Sequence, residues 1–515
     1  MKKSTYRVLG IIFFALVFAA YASPAEDRTP PHGPGSVENP VPIKISGELT
    51  EVSQLLSWIQ AEGRYVALDL SDCVMNGTEF DPGRTSIGKR YIVSLILPDA
   101  AKSIKASTGY YNSAFRYFTS LKSVTGANVE SAGAYAFAYC TALETLSFPV
   151  MESIGDHAFT DCTALEILSL PKAASVGEYA FWGCTSLVTL SLPSAASIEA
   201  SAFMSCTALE ILSLPSVENV GASAFSGCTA LTTVSLPAAE NIGTIAFRNC
   251  TALETLSFPM ATNIRNGAFW NCTALTTVNL TSAVNIGVIA FENCTALTTL
   301  SLPVAENILG SAFTGCTALE TVNFPEAITI GNQAFEGCTS LATVSLPKVE
   351  SVGAISFGNC TALETLSLPA AVSIGNGAFS GCTALTTVSL PAAISVGDAA
   401  FSYCTALETL SLPKVESVGT IAFGFTGDQT LTVILGDTVP VMGMNIFYIV
   451  KGKTVIVRVP SGAGAWNGKT GVFTGSDDDD TWGNGFRSGG WDGSAIRDSN
   501  TVNSYITLTV EEARE

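Results

Sequence analysis

The sequence predicts a right-handed solenoid of 22-residue repeats, an α/β repeat fold with a parallel β-sheet on one face and short helical turns on the other. Three observations predict it. Cysteines from Cys140 to Cys404 recur at a fixed 22-residue interval without a slip. A Phe, separated from the next Cys by two residues, follows the same ruler from Phe159, Phe181 and Phe203 to Phe423. Six of the thirteen copies also carry a Leu-Ser-Leu-Pro run in their middle, and three more carry Val-Ser-Leu-Pro. A fixed period of about 20–50 residues marks a solenoid, in which a repeat buries its apolar side chains only by stacking on its neighbours.

The elements follow in chain order. Residues 1–22 read as a secretory signal: Lys2 and Lys3, an apolar run from Val8 to Ala20, and Ala20-Tyr21-Ala22 as a small-x-small cleavage site. That run is shorter than the ~20 residues needed to span a bilayer, so the mature chain is expected to hold no transmembrane segment. Residues 23–42, with Pro24, Pro30, Pro31, Pro34, Pro40 and Pro42, read as an extended linker. Residues 43–117 read as an N-terminal cap with irregular first rungs. There Leu49, Val52, Leu55, Leu56 and Ile59 share one helical face, and Tyr65–Leu70 and Ile92–Leu97 read as strands. The repeats fill 118–425, with Phe118 in the Cys position of the first rung. Residues 426–515 read as a β-rich C-terminal cap and tail, with strands at Leu431–Leu435, Val455–Pro460 and Tyr505–Val510. In that tail Asp477–Asp480 lack the alternating spacing of a calcium loop and read as a solvated charge run, while Trp482, Phe486 and Trp491 read as a packed cap edge.

Within a repeat, period-2 alternation sets the strand. In the copy starting at Cys360, Leu366 and Leu368 are expected to point inward and Thr365 and Ser367 outward. Pro369 then ends the ladder because it has no N–H to donate. Ala371 and Ile374 turn inward again, Gly375 turns the chain, and Ala378-Phe379 opens a short helical turn leading to Cys382.

The pattern Cys-x-x-Leu-x-x-Leu-x-Leu-Pro-x-x-x-x-Ile-Gly-x-x-Ala-Phe-x-x-Cys resembles the BspA-like class of leucine-rich repeats, over roughly residues 90–425. The resemblance implies a leucine-rich-repeat solenoid and a bacterial cell-surface or secreted protein. It further implies protein partners, among them extracellular matrix or host-cell surface proteins, and an adhesin-like role. The copies here depart from the class in being unusually uniform.

Composition narrows the function. The chain is 47% apolar and 13% charged, with a formal net charge of −19. An acidic surface repels phosphate backbones and anionic lipid, which makes nucleic acid and bare membrane poor partners. His32 and His157 are the two histidines, and no nucleophile–base pair, phosphate loop or metal-ligand spacing accompanies them. The sequence therefore points to no enzyme, cofactor or metal. Each repeat Cys has an identical neighbour above and below, and Cβ atoms in a ladder run parallel, so these residues read as buried thiols.

Two sets of exposed residues are candidates for binding. The first is the two-column strand face represented by Thr233, Ser235, Thr255, Ser257, Thr277, Thr299 and Ser301, with Ile167 and Ile211 interrupting its Thr column. A glutamate column that includes Glu166 and Glu210 runs beside it. The second set lies in the return turns and includes Tyr179, Trp182 and Trp270, residue types that dominate interface energy. The plain alternatives are a solvated β-face and scattered surface aromatics. The functional readings are a repeated surface binding an extended partner, a self-associating surface-layer protein, and a Thr/Ser lattice for glycan or ice. The sequence does not specify an oligomeric state.

Overall fold

In each repeat the chain makes one circuit: a front strand, a second strand and a return turn. Apolar residues alternate inward along both strands. The computed structural model describes residues 35–49, 52–83, 86–107, 114–424, 430–436, 440–443, 446, 454–459 and 507–512. The signal segment, most of the Pro-rich stretch, Asp477–Asp480, Trp482, Phe486 and Trp491 lie outside them.

The front ladder consists of short parallel strands such as Thr365–Ser367, paired in register with Thr387–Ser389. Leu366 and Leu368 are buried and Thr365 and Ser367 exposed, as the alternation requires. The strand is three residues long, because Pro369 follows one residue later. A second ladder of two-residue strands, such as Ser373–Ile374, escaped the sequence reading. It runs in parallel pairings from Glu79–Phe80 to Val441–Met442, with Ile or Val inward at its second position in nearly every repeat. Asn side chains bridge successive rungs along it: Asn241 Nδ2 donates to Asn219 Oδ1 at 3.0 Å and Asn307 Nδ2 to Asn285 Oδ1 at 2.9 Å.

The return segment, read as short helical turns with no room for a full helix, is a run of hydrogen-bonded turns, and the reason it goes no further lies in its inter-rung bonds. Three N–H groups per rung donate to carbonyls of the next rung: Tyr135 to Asp156, Phe137 to Ala158 and Tyr139 to Thr160. A helix would direct those groups along its own axis. Here two residues per copy take positive φ, for example Ile289 at 54° and Asn293 at 61°, and turn their N–H groups along the stack. Asn, Asp and Gly accept that conformation readily, whereas a β-branched Ile does so under strain. Ile245, Ile289, Ile355 and Ile421 all hold it.

The core between these walls is one continuous cluster. The Phe column stacks face to face, with Phe159 and Phe181 5.0 Å apart and 1° from parallel, and Phe379 and Phe401 5.3 Å apart at 9°. The rungs fix this separation, since strands stand ~4.8 Å apart. Each repeat Cys is buried, and its thiol donates to the carbonyl of a Phe in the preceding rung, as from Cys294 to Phe269 at 3.3 Å. That carbonyl also accepts the backbone N–H of Cys272, so the thiol ties two rungs at one oxygen. Burial pushes these thiols up, to about 12 at Cys272 and Cys316. They are structural and unreactive as nucleophiles.

The N-terminal irregular rungs close the stack. The expected helix is present at Val52–Glu62 (α1), with Leu56 and Ile59 buried and Leu49 and Leu55 packed at the core edge. The strand Val41–Lys44 pairs with Val66–Asp69, so the front ladder starts just inside the stretch read as linker. In the return column, Phe115 N–H donates to Ala136, which leaves the Ala114 carbonyl facing an end with no preceding repeat. Lys89, 1% exposed, fills that role: its Nζ donates to Ala114 O at 3.2 Å and Gly83 O at 2.6 Å, 5.2 Å from the Phe118 ring centre. Burial pulls its pKa down to about 8. At the other end Phe423 N–H donates to Ile446 O, and the front ladder continues through Leu431–Leu435, Thr454–Val459 and Thr507–Glu512.

Candidate functional site

The inward columns are occupied by packing, so chemistry is confined to what the rungs expose. On the front ladder the strands set the candidate Thr and Ser residues in register. Thr233 pairs with Thr255 and Thr255 with Thr277, while Ser235 pairs with Ser257 and Ser257 with Asn279. Thr255 Oγ1 donates to Thr233 Oγ1 at 3.3 Å, and Asn279 Nδ2 to Ser257 Oγ at 3.1 Å. Thr299 and Ser301 are exposed too but belong to a separate three-stranded sheet, because the pairing lapses after Thr277–Asn279. One residue before the Thr column, glutamates alternate with Thr: Glu210, Thr232, Glu254, Thr276. This puts the two carboxylates on every second strand. Thr232 Oγ1 and Thr276 Oγ1 each donate to the glutamate carbonyl of the preceding rung, at 3.1 and 3.2 Å.

The aromatic candidates stand on a different side of the rung. Tyr179 is half-buried at a positive-φ position of the return turn, as are Tyr135 and His157. Because these three occupy one column, their rings stack: Tyr135 on His157 at 4.5 Å and His157 on Tyr179 at 4.8 Å. Trp182 meets Tyr179 edge-on at 6.1 Å. Burial lowers the pKa of His157, which leaves the imidazole neutral between its neighbours at pH 7. Trp270 stands apart, 4.2 Å from the Arg248 guanidinium. The structure therefore does not unite Tyr179, Trp182 and Trp270 with the Thr/Ser array.

Two features escaped the sequence reading. The Gly that ends the second strand is replaced by Arg265 and Leu309 on either side of Gly287, which opens a cleft also lined by Asn263, Asn266 and Asn285. A Cβ on Gly287 would lie 2.7 Å from backbone of the preceding rung. The second is apolar: Ile167, Val188 and Ile211 are 54%, 43% and 60% exposed on three successive rungs of the front face. The interruptions of the Thr column at 167 and 211 were the available signal. Among the described residues no group of three His, Cys, Asp or Glu side chains is placed to hold a metal, and no helix is long and apolar enough to cross a membrane.

The repeat sequence that builds this geometry is matched by a known family. A family model described as the BspA type leucine rich repeat region, itself six copies long, matches residues 108–232, 196–320 and 306–432. The chain belongs to this family. Among solved structures, this BspA-type protein is similar to a leucine-rich repeat protein from Bacteroides ovatus, at 24% identity over 63% of this chain and 80% of that one, with a TM-score of 0.44. It is also similar to a leucine rich cell surface protein from Faecalibacterium prausnitzii, at 24% identity over 67% and 82%, with a TM-score of 0.31. The pneumococcal vaccine antigen PcpA is similar at 17% identity over 75% and 85%, with a TM-score of 0.30. No curated protein matches the chain. The family is generally non-enzymatic and typically found at the surface or secreted, and leucine-rich-repeat folds generally mediate protein interactions.

Proposed function

We propose that this BspA-type protein is exported by its N-terminal apolar segment, performs no catalysis, and binds macromolecules at or beyond the cell surface in an adhesin-like role. Its partners are proteins, extracellular matrix or cell-surface proteins among them. The 118–425 repeats carry the binding and the flanking segments close the stack. One observation carries the reading: the front face sets exposed or half-buried Thr and Ser side chains in register on successive rungs, with glutamates beside many of them, on a frame whose return turns are hydrogen-bonded from rung to rung. Many weak, equally spaced contacts add up by avidity.

The test is deletion of residues 228–337, a whole number of repeats, which keeps both ends and the register between rungs. Capture of the purified chain on immobilised matrix proteins is expected to weaken on deletion. Unchanged capture would show that the deleted repeats add nothing to binding, and full capture by residues 426–515 alone would show that the repeats are only a stalk.

A further inference from the structure

Uniformity makes departures informative. In the front Thr column, positions 145, 189, 233, 255 and 277 are Thr, but 167 and 211 are Ile. In the column before it, Val188 stands where neighbouring rungs carry Glu or Thr. The Ile167 strand pairs with Thr145 on one side and Thr189 on the other, so the three apolar side chains fall on consecutive rungs around Thr189. They are among the most exposed large apolar residues of the repeats. The front ladder is also interrupted inside this cluster, between Thr189–Ser191 and Ile211–Ser213, while the second ladder runs on unbroken through Ser197 and Asn219.

Acid borders the cluster. Glu166 and Glu210 immediately precede Ile167 and Ile211, are exposed, and form no ion pair among the described residues. Glu144, one rung earlier, is held by Lys122 at 2.8 Å. An exposed apolar patch with a charged rim is the usual make-up of a docking surface. A second copy of this chain is a poor occupant, since it would bring the same carboxylates to a body already at −19. An anionic lipid surface fails for the same reason.

We propose that Ile167, Val188 and Ile211, rimmed by Glu166 and Glu210, form a docking site for an extended segment of a partner protein in which apolar side chains alternate with Lys or Arg. The assignment rests on the protein-binding reading above and names where on the repeats recognition is specific. The apolar side chains of the segment cover the Ile–Val–Ile cluster, and its cations meet the two free carboxylates.

The probe is a short synthetic peptide alternating Ile with Lys, compared with its Lys-to-Glu counterpart, each titrated into the full chain by fluorescence anisotropy. The variant Ile167→Thr/Val188→Thr/Ile211→Thr restores residues that neighbouring rungs already carry, so it keeps the fold, and it leaves net charge unchanged. The basic peptide is expected to bind and the acidic one not to bind. The triple variant should lose at least about tenfold in affinity, equivalent to 1.4 kcal/mol. Glu166→Gln/Glu210→Gln should weaken binding and flatten its salt dependence. Equal binding by the triple variant overturns the site, and so does equal binding of the acidic peptide. In the matrix-capture assay, a triple variant that captures as well as the parent chain also overturns the site while leaving protein binding standing. A parent chain that captures nothing overturns the matrix-binding reading, and one that also fails to bind the basic peptide overturns the site.

Discussion

In the return turns, hydrogen bonds from each Phe N–H to the next rung run unbroken from Phe115 to Phe423, whereas the front ladder is parted into sheets of seven, four, three and six strands. Both belong to the same repeat. The difference follows from what each wall contains. The return turns pack stacked Phe rings, thiols bonded to Phe carbonyls and left-handed residues, so every position is constrained by the rung above and below. Outward front positions touch mainly solvent and their lateral neighbours, which lets Ile replace Thr and lets the pairing lapse without cost to the stack. Stability is therefore concentrated on one side of the solenoid and freedom to vary on the other.

The largest expected effect tests the constrained side. Phe291, fully buried between Phe269 and Phe313 at 5.1 and 5.3 Å, should cost about 3–5 kcal/mol on truncation to Ala, because the cavity cannot collapse between fixed rungs. Denaturant unfolding measures it, and hydrogen exchange should place the damage in the adjoining rungs. A loss below about 1 kcal/mol would erase the contrast between the two walls.

An intermediate effect is expected at the end of the constrained wall. Lys89→Met leaves the Gly83 and Ala114 carbonyls without their donor, which should cost about 1–3 kcal/mol and appear as faster amide exchange around residues 114–140. Its pH dependence has a definite sign. The unfolded chain holds the Lys89 proton up to 10.5 and the folded chain only up to about 8, so stability should rise between those values as the buried charge is relieved. Below pH 8 the penalty is present in full. The Met variant should lack this rise relative to the parent, and equal slopes would mean that the ammonium is not buried.

The smallest effect is expected on the free wall. Thr299→Ala removes one exposed side chain from the front array and should change stability by only a few tenths of a kcal/mol. A larger loss by thermal unfolding would show that the Thr column carries structural load.

The sequence made the repeat legible wherever periodicity could speak: the Leu366/Thr365 alternation of the front wall and the Cys and Phe columns of the return wall were readable. The second ladder was not, because a two-residue strand such as Ser373–Ile374 is too short for alternation to show. The short helical turns were readable, but their left-handed residues were not, because propensity says nothing of where N–H groups must point. The Asn or Gly that recurs before Cys, as at Asn249, Asn271, Gly315 and Gly337, was the neglected signal for left-handed backbone. Among the candidate site residues, the Thr/Ser columns were found, but the stacking of Tyr179 on His157 depends on register between rungs. Lys89 lies outside every repeat, and its partner Ala114 is distant in sequence, so nothing local marked it.

The one-way hydrogen bonds of the return column give that wall of the solenoid an electrical direction. Peptide dipoles of ~3.5 D joined head to tail add along their common axis, as they do in a helix. From Phe115 to Phe423 every such bond points its N–H toward the C-terminal end, so that end is the positive pole and the Ala114 carbonyl marks the negative one. An ammonium at Ala114 therefore has the sign the negative pole requires, and a backbone carbonyl, Ile446 O, terminates the positive pole. The two caps are consequently not interchangeable, however alike the rungs between them: a copy can be inserted or removed anywhere in the middle, but the rod keeps a head and a tail.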